Sequence, residues 1–134
     1  MDKNRYAWIR PVAGTFEEVA TRVRQELQQQ GFGILTEIDL ATTFKNKLNV
    51  SWPRTLILGA CNPPLAHKAM TADADVSVFL PCNVVIRETD GKTIEVAAIN
   101  PEVLGAIMQN DRIGSVAGDV AARIGKVLDA LTTA

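Results

Sequence analysis

At Leu56-Ile57-Leu58-Gly59-Ala60-Cys61-Asn62-Pro63-Pro64 an apolar run passes straight into the start of a helix. Arg54 to Leu58 is predicted as a buried strand that Gly59 ends. Asn62 is the natural N-cap, because its side-chain oxygen can accept from a free amide of the first turn. Pro63 then falls at the first helical position, where a missing N–H costs nothing. The helix is expected to run to about Ala72, with Leu65, Ala69 and Ala72 on its packed side. A chain built this way carries a helix N-terminus at the very end of a strand, with Cys61 between the two.

The neighbouring segments alternate between strand and helix signals. Tyr6 to Val12 is predicted as a first strand, confined by Pro11 to an edge or a strand end. Thr15-Phe16-Glu17-Glu18 is a capping-box signature, and the helix behind it sets Val19, Val23 and Leu27 on one face. Gly31 suits the left-handed position that closes such a helix. Phe32 to Ile38 follows as a strand, then a short helix over Leu40 to Leu48 with Asp39 as its cap. Ser77 to Glu88 is the longest strand candidate, kinked at Pro81, and Asp90-Gly91 predicts a hairpin into Ile94 to Ile99. Asn100-Pro101 stops that strand, and Pro101 to Met108 is a short helix. The last helix is predicted from Ser115, with Val116, Val120, Ile124, Val127, Leu128 and Leu131 on its apolar face. Gly118, Ala121, Ala122 and Gly125 form a stripe of small residues beside it. Hairpin-joined strands interleaved with helices give an α+β class, an antiparallel-rich sheet with helices packed on one face. Residues 1–134 are expected to form a single domain, since no linker or repeat divides them.

Charge and composition exclude several functions. Fourteen basic against fifteen acidic residues, with no basic run, oppose nucleic acid as a partner, because that binding rests on a basic face. No apolar run reaches membrane-spanning length, and Met1 to Tyr6 leads into no apolar leader. A cytoplasmic protein with no membrane partner is the expectation, and there the two cysteines would stay reduced. The chain has no G-x-S-x-G elbow, no phosphate-binding G-x-x-x-x-G-K-[ST] loop and no G-x-G-x-x-G.

What remains is a concentration of reactive side chains in two places. Cys61, Asn62 and His67 lie in one, and Cys82 and Asn83, in Leu80-Pro81-Cys82-Asn83, lie in the other. Helix amides and the helix dipole next to Cys61 would favour a thiolate. Cys61, Cys82 and His67, with Met70, would make a soft ligand set for copper(I) or zinc, although their spacing matches no standard metal motif. Against this stands packing: cysteine is among the most buried residue types, and a single helical histidine is commonly a surface residue. Arg54, Lys68 and Arg87 could receive an anion, and Trp8, Trp52 and Phe79 read as core or interface.

Four segments together resemble a known family. They are Phe16-Glu17-Glu18-Val19, Gly31-Phe32-Gly33-Ile34-Leu35-Thr36-Glu37-Ile38-Asp39, Leu58-Gly59-Ala60-Cys61-Asn62-Pro63-Pro64-Leu65-Ala66 and Leu80-Pro81-Cys82-Asn83-Val84-Val85-Ile86-Arg87-Glu88. The chain resembles the domain of unknown function 302 family, small prokaryotic proteins, across residues 5 to 131. The resemblance implies a compact α+β domain similar in architecture to the TATA-binding-protein fold, and a homodimer. It assigns no activity, and the two Cys-Asn pairs match its pattern. Three functions follow as expectations. The first is a homodimeric, non-catalytic binding module with a pocket near Cys61 and Cys82, taking a small-molecule or soft-metal ligand. The second is a thiol-dependent redox or sulfur-carrier protein that uses Cys61 with Cys82. The third is a purely structural dimer that associates through the Gly118/Ala122/Gly125 stripe or a sheet edge.

Overall fold

The computed structural model describes residues 1–89 and 92–131. These form strands β1 (Asp2–Lys3), β2 (Ala7–Val12), β3 (Gly33–Asp39), β4 (Thr55–Cys61), β5 (Cys82–Glu88) and β6 (Ile94–Ile99). The α-helices are α1 (Phe16–Gln29), α2 (Leu40–Leu48), α3 (Pro63–Ala72), α4 (Glu102–Met108) and α5 (Asp111–Asp129). All strands join one antiparallel sheet in the order β1-β2-β6-β5-β4-β3. The predicted α+β class and antiparallel sheet are thus what the chain adopts.

Local signals place α1 and α2 as predicted. The Thr15 hydroxyl accepts from the Glu18 amide at 3.2 Å, and Asp39 accepts from Thr42 N at 3.0 Å. Gly31, just past the end of α1, has φ +85°, a conformation open to glycine at little cost. Along α1, Phe16, Val19, Ala20, Val23 and Leu27 are buried, one stripe at helical spacing.

The sheet buries one face. Trp8, Val12, Leu58, Ala60, Val84, Ile86, Ile94, Val96 and Ala98 point inward and pack with α1 and with Ala121, Ile124, Val127 and Leu128 of α5. A second, smaller cluster joins α3, α4 and α5 through Ala69, Val76, Leu104 and Ile113. On the outward face the register sets Ile9 opposite Ala97, Ala97 opposite Val85, Val85 opposite Ile57 and Ile57 opposite Ile38. This apolar row crosses five strands.

Three expectations need correction. Gly59 does not end its strand, because β4 runs through it to Cys61. The glycine is required by cross-strand crowding: a Cβ there would lie 2.1 Å from Thr36 Oγ1 and 2.7 Å from Pro81 Cγ. Ser77 to Glu88 is not one kinked strand. Ala74–Phe79 is a 3-10 helix that buries Val76, the Leu80–Pro81 bond is cis, and β5 begins only at Cys82. The last helix begins at Asp111 instead of Ser115, since Asn110 accepts from Arg112 N and Ile113 N and caps it earlier. The pairing of β5 with β6 is as expected, while the Asp90-Gly91 turn itself lies outside the described residues. In the small-residue stripe, Ala121 belongs to the core, and Gly125 faces Trp8, whose Cζ3 lies 3.9 Å from a Cβ built there. Gly118 has open space before it.

Two stability predictions follow from this geometry. Gly59→Ala should cost about 2–3 kcal/mol in urea unfolding, at the upper end of ordinary overpacking. Adding Thr36→Ala should recover part of that loss, because it removes one of the two obstructing groups. Thr15→Ala should cost about 1 kcal/mol, the usual worth of an exposed N-cap.

Candidate functional site

Asn62 is buried, with 7% of its surface exposed, and its amide is used at both ends. Oδ1 accepts from Leu65 N at 3.3 Å and caps α3, as the sequence predicts. Nδ2 donates to the Gln30 carbonyl at 3.3 Å, at the C-terminal end of α1, and that carbonyl also accepts from Arg123 of α5 at 3.1 Å. A Cβ at Gly31 would come within 3.0 Å of Nδ2, so the glycine and the amide fit together. Asn62 therefore ties α1, α3 and α5 to the end of β4, with a hydrogen-bond partner for both its oxygen and its nitrogen.

The two cysteines come into one neighbourhood as free thiols. The register sets Cys82 opposite Ala60, so Cys61 stands one residue further along the adjacent strand. Strand alternation then gives the two positions opposite parity in the pleat. Both contribute to the wall of a cavity of about 40 Å³ between the ends of β4 and β5 and helices α3, α4 and α5. Leu65, Leu80, Leu104 and Ile113 line it as well, and Asn62 is its single polar amide. Burial pushes the Cys82 thiol up from 9.0 to about 11, and the nearby Cys61 sulfur adds to the shift. Cys82 is therefore held as a neutral thiol at physiological pH.

The other candidates are elsewhere. His67 is exposed on α3 and lines a separate groove with Lys68, Thr71 and Arg112. Met70 is also exposed. Among the described residues no three His, Cys, Asp or Glu side chains converge to hold a metal ion, so the soft ligand set is not assembled. Asn83 is exposed and opposite Gly59 on the outward side of the sheet. Arg54 is paired with Glu17 and stacks over Phe16, and Arg87 is paired with Glu95. Trp8 is core, while Trp52 is exposed and meets Phe44 edge-on at 5.6 Å between ring centroids. Among the described residues no helix is long and apolar enough to cross a membrane.

The far wall of the cavity, from Leu104, Ile113 and Ala117, was not found from the sequence. The available signal was Asn110, a second cap-type residue ahead of Ser115. Starting the helix there extends its apolar face back through Ala117 to Ile113.

Comparison with known proteins adds identity without activity. No curated protein matches the chain. A similar solved structure is the crystal structure of an uncharacterized conserved DUF302 protein from Bacillus stearothermophilus. It is 25% identical and superimposes with a TM-score of 0.87 over 94% of this chain and 98% of that one. The model of the family described as "Domain of unknown function DUF302" matches residues 8–131, nearly the whole chain, and the chain belongs to that family.

Proposed function

We propose that the protein is a homodimeric, non-catalytic binding module. It takes a small apolar ligand, or the alkyl end of a larger one, in the cavity bounded by Cys61 and Cys82. The observation that carries this reading is the cavity itself, an almost wholly apolar space at the junction of two hydrophobic clusters whose one amide is already satisfied. Apolar cavities stay dry and admit apolar guests, because water entering them finds no partners. At about 40 Å³ the space suits a group of very few heavy atoms, well below the roughly 300 Å³ at which drug-sized pockets begin. The dimer draws on the outward sheet face, where Ile9, Ile57, Val85 and Ile99 keep apolar side chains partly in water.

A redox or sulfur-carrier role has less support. It needs a thiolate and a resolving partner, and Cys82 is buried and held protonated, with opposite pleat parity to Cys61.

Xenon and a series of short alkanols, titrated while amide chemical shifts are followed, test the cavity. Saturable shifts at Ala60, Cys82 and Ala117 are expected, and Ala117→Leu, which fills the space, should abolish them. No saturable shift in the wild-type protein would remove the proposal. The Cys82 thiol gives a separate check through pH. Its folded pKa lies above its unfolded one, so its contribution is intact below pH 9.0 and is lost as pH rises toward about 11. Over that window the wild type should lose stability relative to Cys82→Ala at no more than about 1.4 kcal/mol per pH unit in urea unfolding.

A further inference from the structure

The outward face of the sheet has a self-complementary pattern. Among the outward positions of the four central strands, Arg87 and Glu95 are the only charged side chains, and they pair across β5 and β6 at 3.2 Å. Beside them runs the apolar row Ile9, Ala97, Val85 and Ile57. The middle of the six-strand order β1-β2-β6-β5-β4-β3 falls between β6 and β5.

We infer that two copies pack through this face, sheet on sheet, about a two-fold axis parallel to the strands that passes between β5 and β6. The inference rests on the homodimer part of the proposed function and names its surface. A two-fold interface must satisfy itself, each patch meeting its own copy. This axis lays β6 of one copy over β5 of the other, and β2 over β4. Glu95 then faces the partner copy's Arg87, and Arg87 faces its Glu95, so each ion pair doubles into a ring of four alternating charges. In the apolar row, Ala97 meets Val85 and Ile9 meets Ile57, a small residue against a larger one in the first case. An axis perpendicular to the strands would instead set the charged row over Ile99, Asn83 and Gly59, with no charge to answer it. The aligned arrangement is also the usual way for two sheets to stack, at about 10 Å separation. The charges lie to one side of the apolar row, as in interfaces with an apolar centre and a polar rim.

Light scattering on the full chain across a concentration series is the first test, with twice the 14.5 kDa chain mass expected. Arg87→Glu should weaken association at least tenfold by gathering like charges, and Arg87→Glu with Glu95→Arg should restore it. Because charge reversal can disturb the fold, a conservative cross-link gives an independent reading. Ile9 and Ile57 are separated by three strand spacings within one chain, about 14 Å, twice the Cα reach of a disulfide. Between copies they face each other. Ile9→Cys with Ile57→Cys, in a Cys61→Ser background, should form a covalent dimer with dibromobimane, whose bridge between two sulfurs suits sheets about 10 Å apart where a direct disulfide is too short, and the background alone should not. A wild-type protein that stays a single chain at every concentration overturns the inference while leaving xenon binding in the cavity to stand by itself. A dimer that the Ile9/Ile57 cysteines cannot capture also overturns it, by moving the contact to another surface.

Discussion

Asn62 carries the one polar side chain buried among the described residues, and both ends of its amide are hydrogen-bonded. A buried amide with an unmet group would cost about 1–3 kcal/mol, so its position is set by where an acceptor and a donor can be supplied together. The Gln30 carbonyl at the end of α1 supplies one and the Leu65 amide at the start of α3 the other. Arg123 of α5 shares the same carbonyl. Three helices are thereby registered against the end of one strand. Gly31 is part of the same arrangement, since a side chain at that position would press on the amide, and its positive φ suits no other residue as well.

That registration determines the chemistry of the cysteines. With α3 and α5 held over the ends of β4 and β5, the space between them is walled by aliphatic side chains and thiols. Desolvation penalises a thiolate, so the environment that brings Cys82 near Cys61 also keeps it protonated. Gathering two sulfurs in a sequence suggests redox chemistry or metal binding. Burying one of them, and leaving His67 in water on the far side of α3, leaves a small cavity with an apolar lining instead of a ligand set.

Much of the fold was legible because its signals act over three or four residues. Thr15, Asp39 and Asn62 each cap the helix that follows through a bond to the third residue on, and the Val19, Val23 and Leu27 spacing gives the buried stripe of α1 directly. The errors share a different cause. Gly59 looked like a strand breaker because its real reason, contact with Thr36 on β3 and Pro81 before β5, comes from residues more than twenty positions away. Val78 and Phe79 looked like strand residues because apolarity alone does not distinguish a short helix from a strand. Ser115 displaced Asn110 as the start of α5 because both are cap-type residues, and burial of Ile113 and Ala117 decided between them.

The sequence by itself determined the α+β class, the family, the caps of α1, α2 and α3 and the placing of Cys61 immediately before the α3 N-cap, since the caps depend on local hydrogen bonding and the class on periodicity. Only the tertiary structure decided what surrounds those residues. Strand register set Cys82 opposite Ala60 instead of Cys61, aligned Arg87 with Glu95, and joined Ile9, Ala97, Val85 and Ile57 into one row. Register depends on pairing between distant segments, and a shift of one residue would turn each of these side chains to the other face of the sheet.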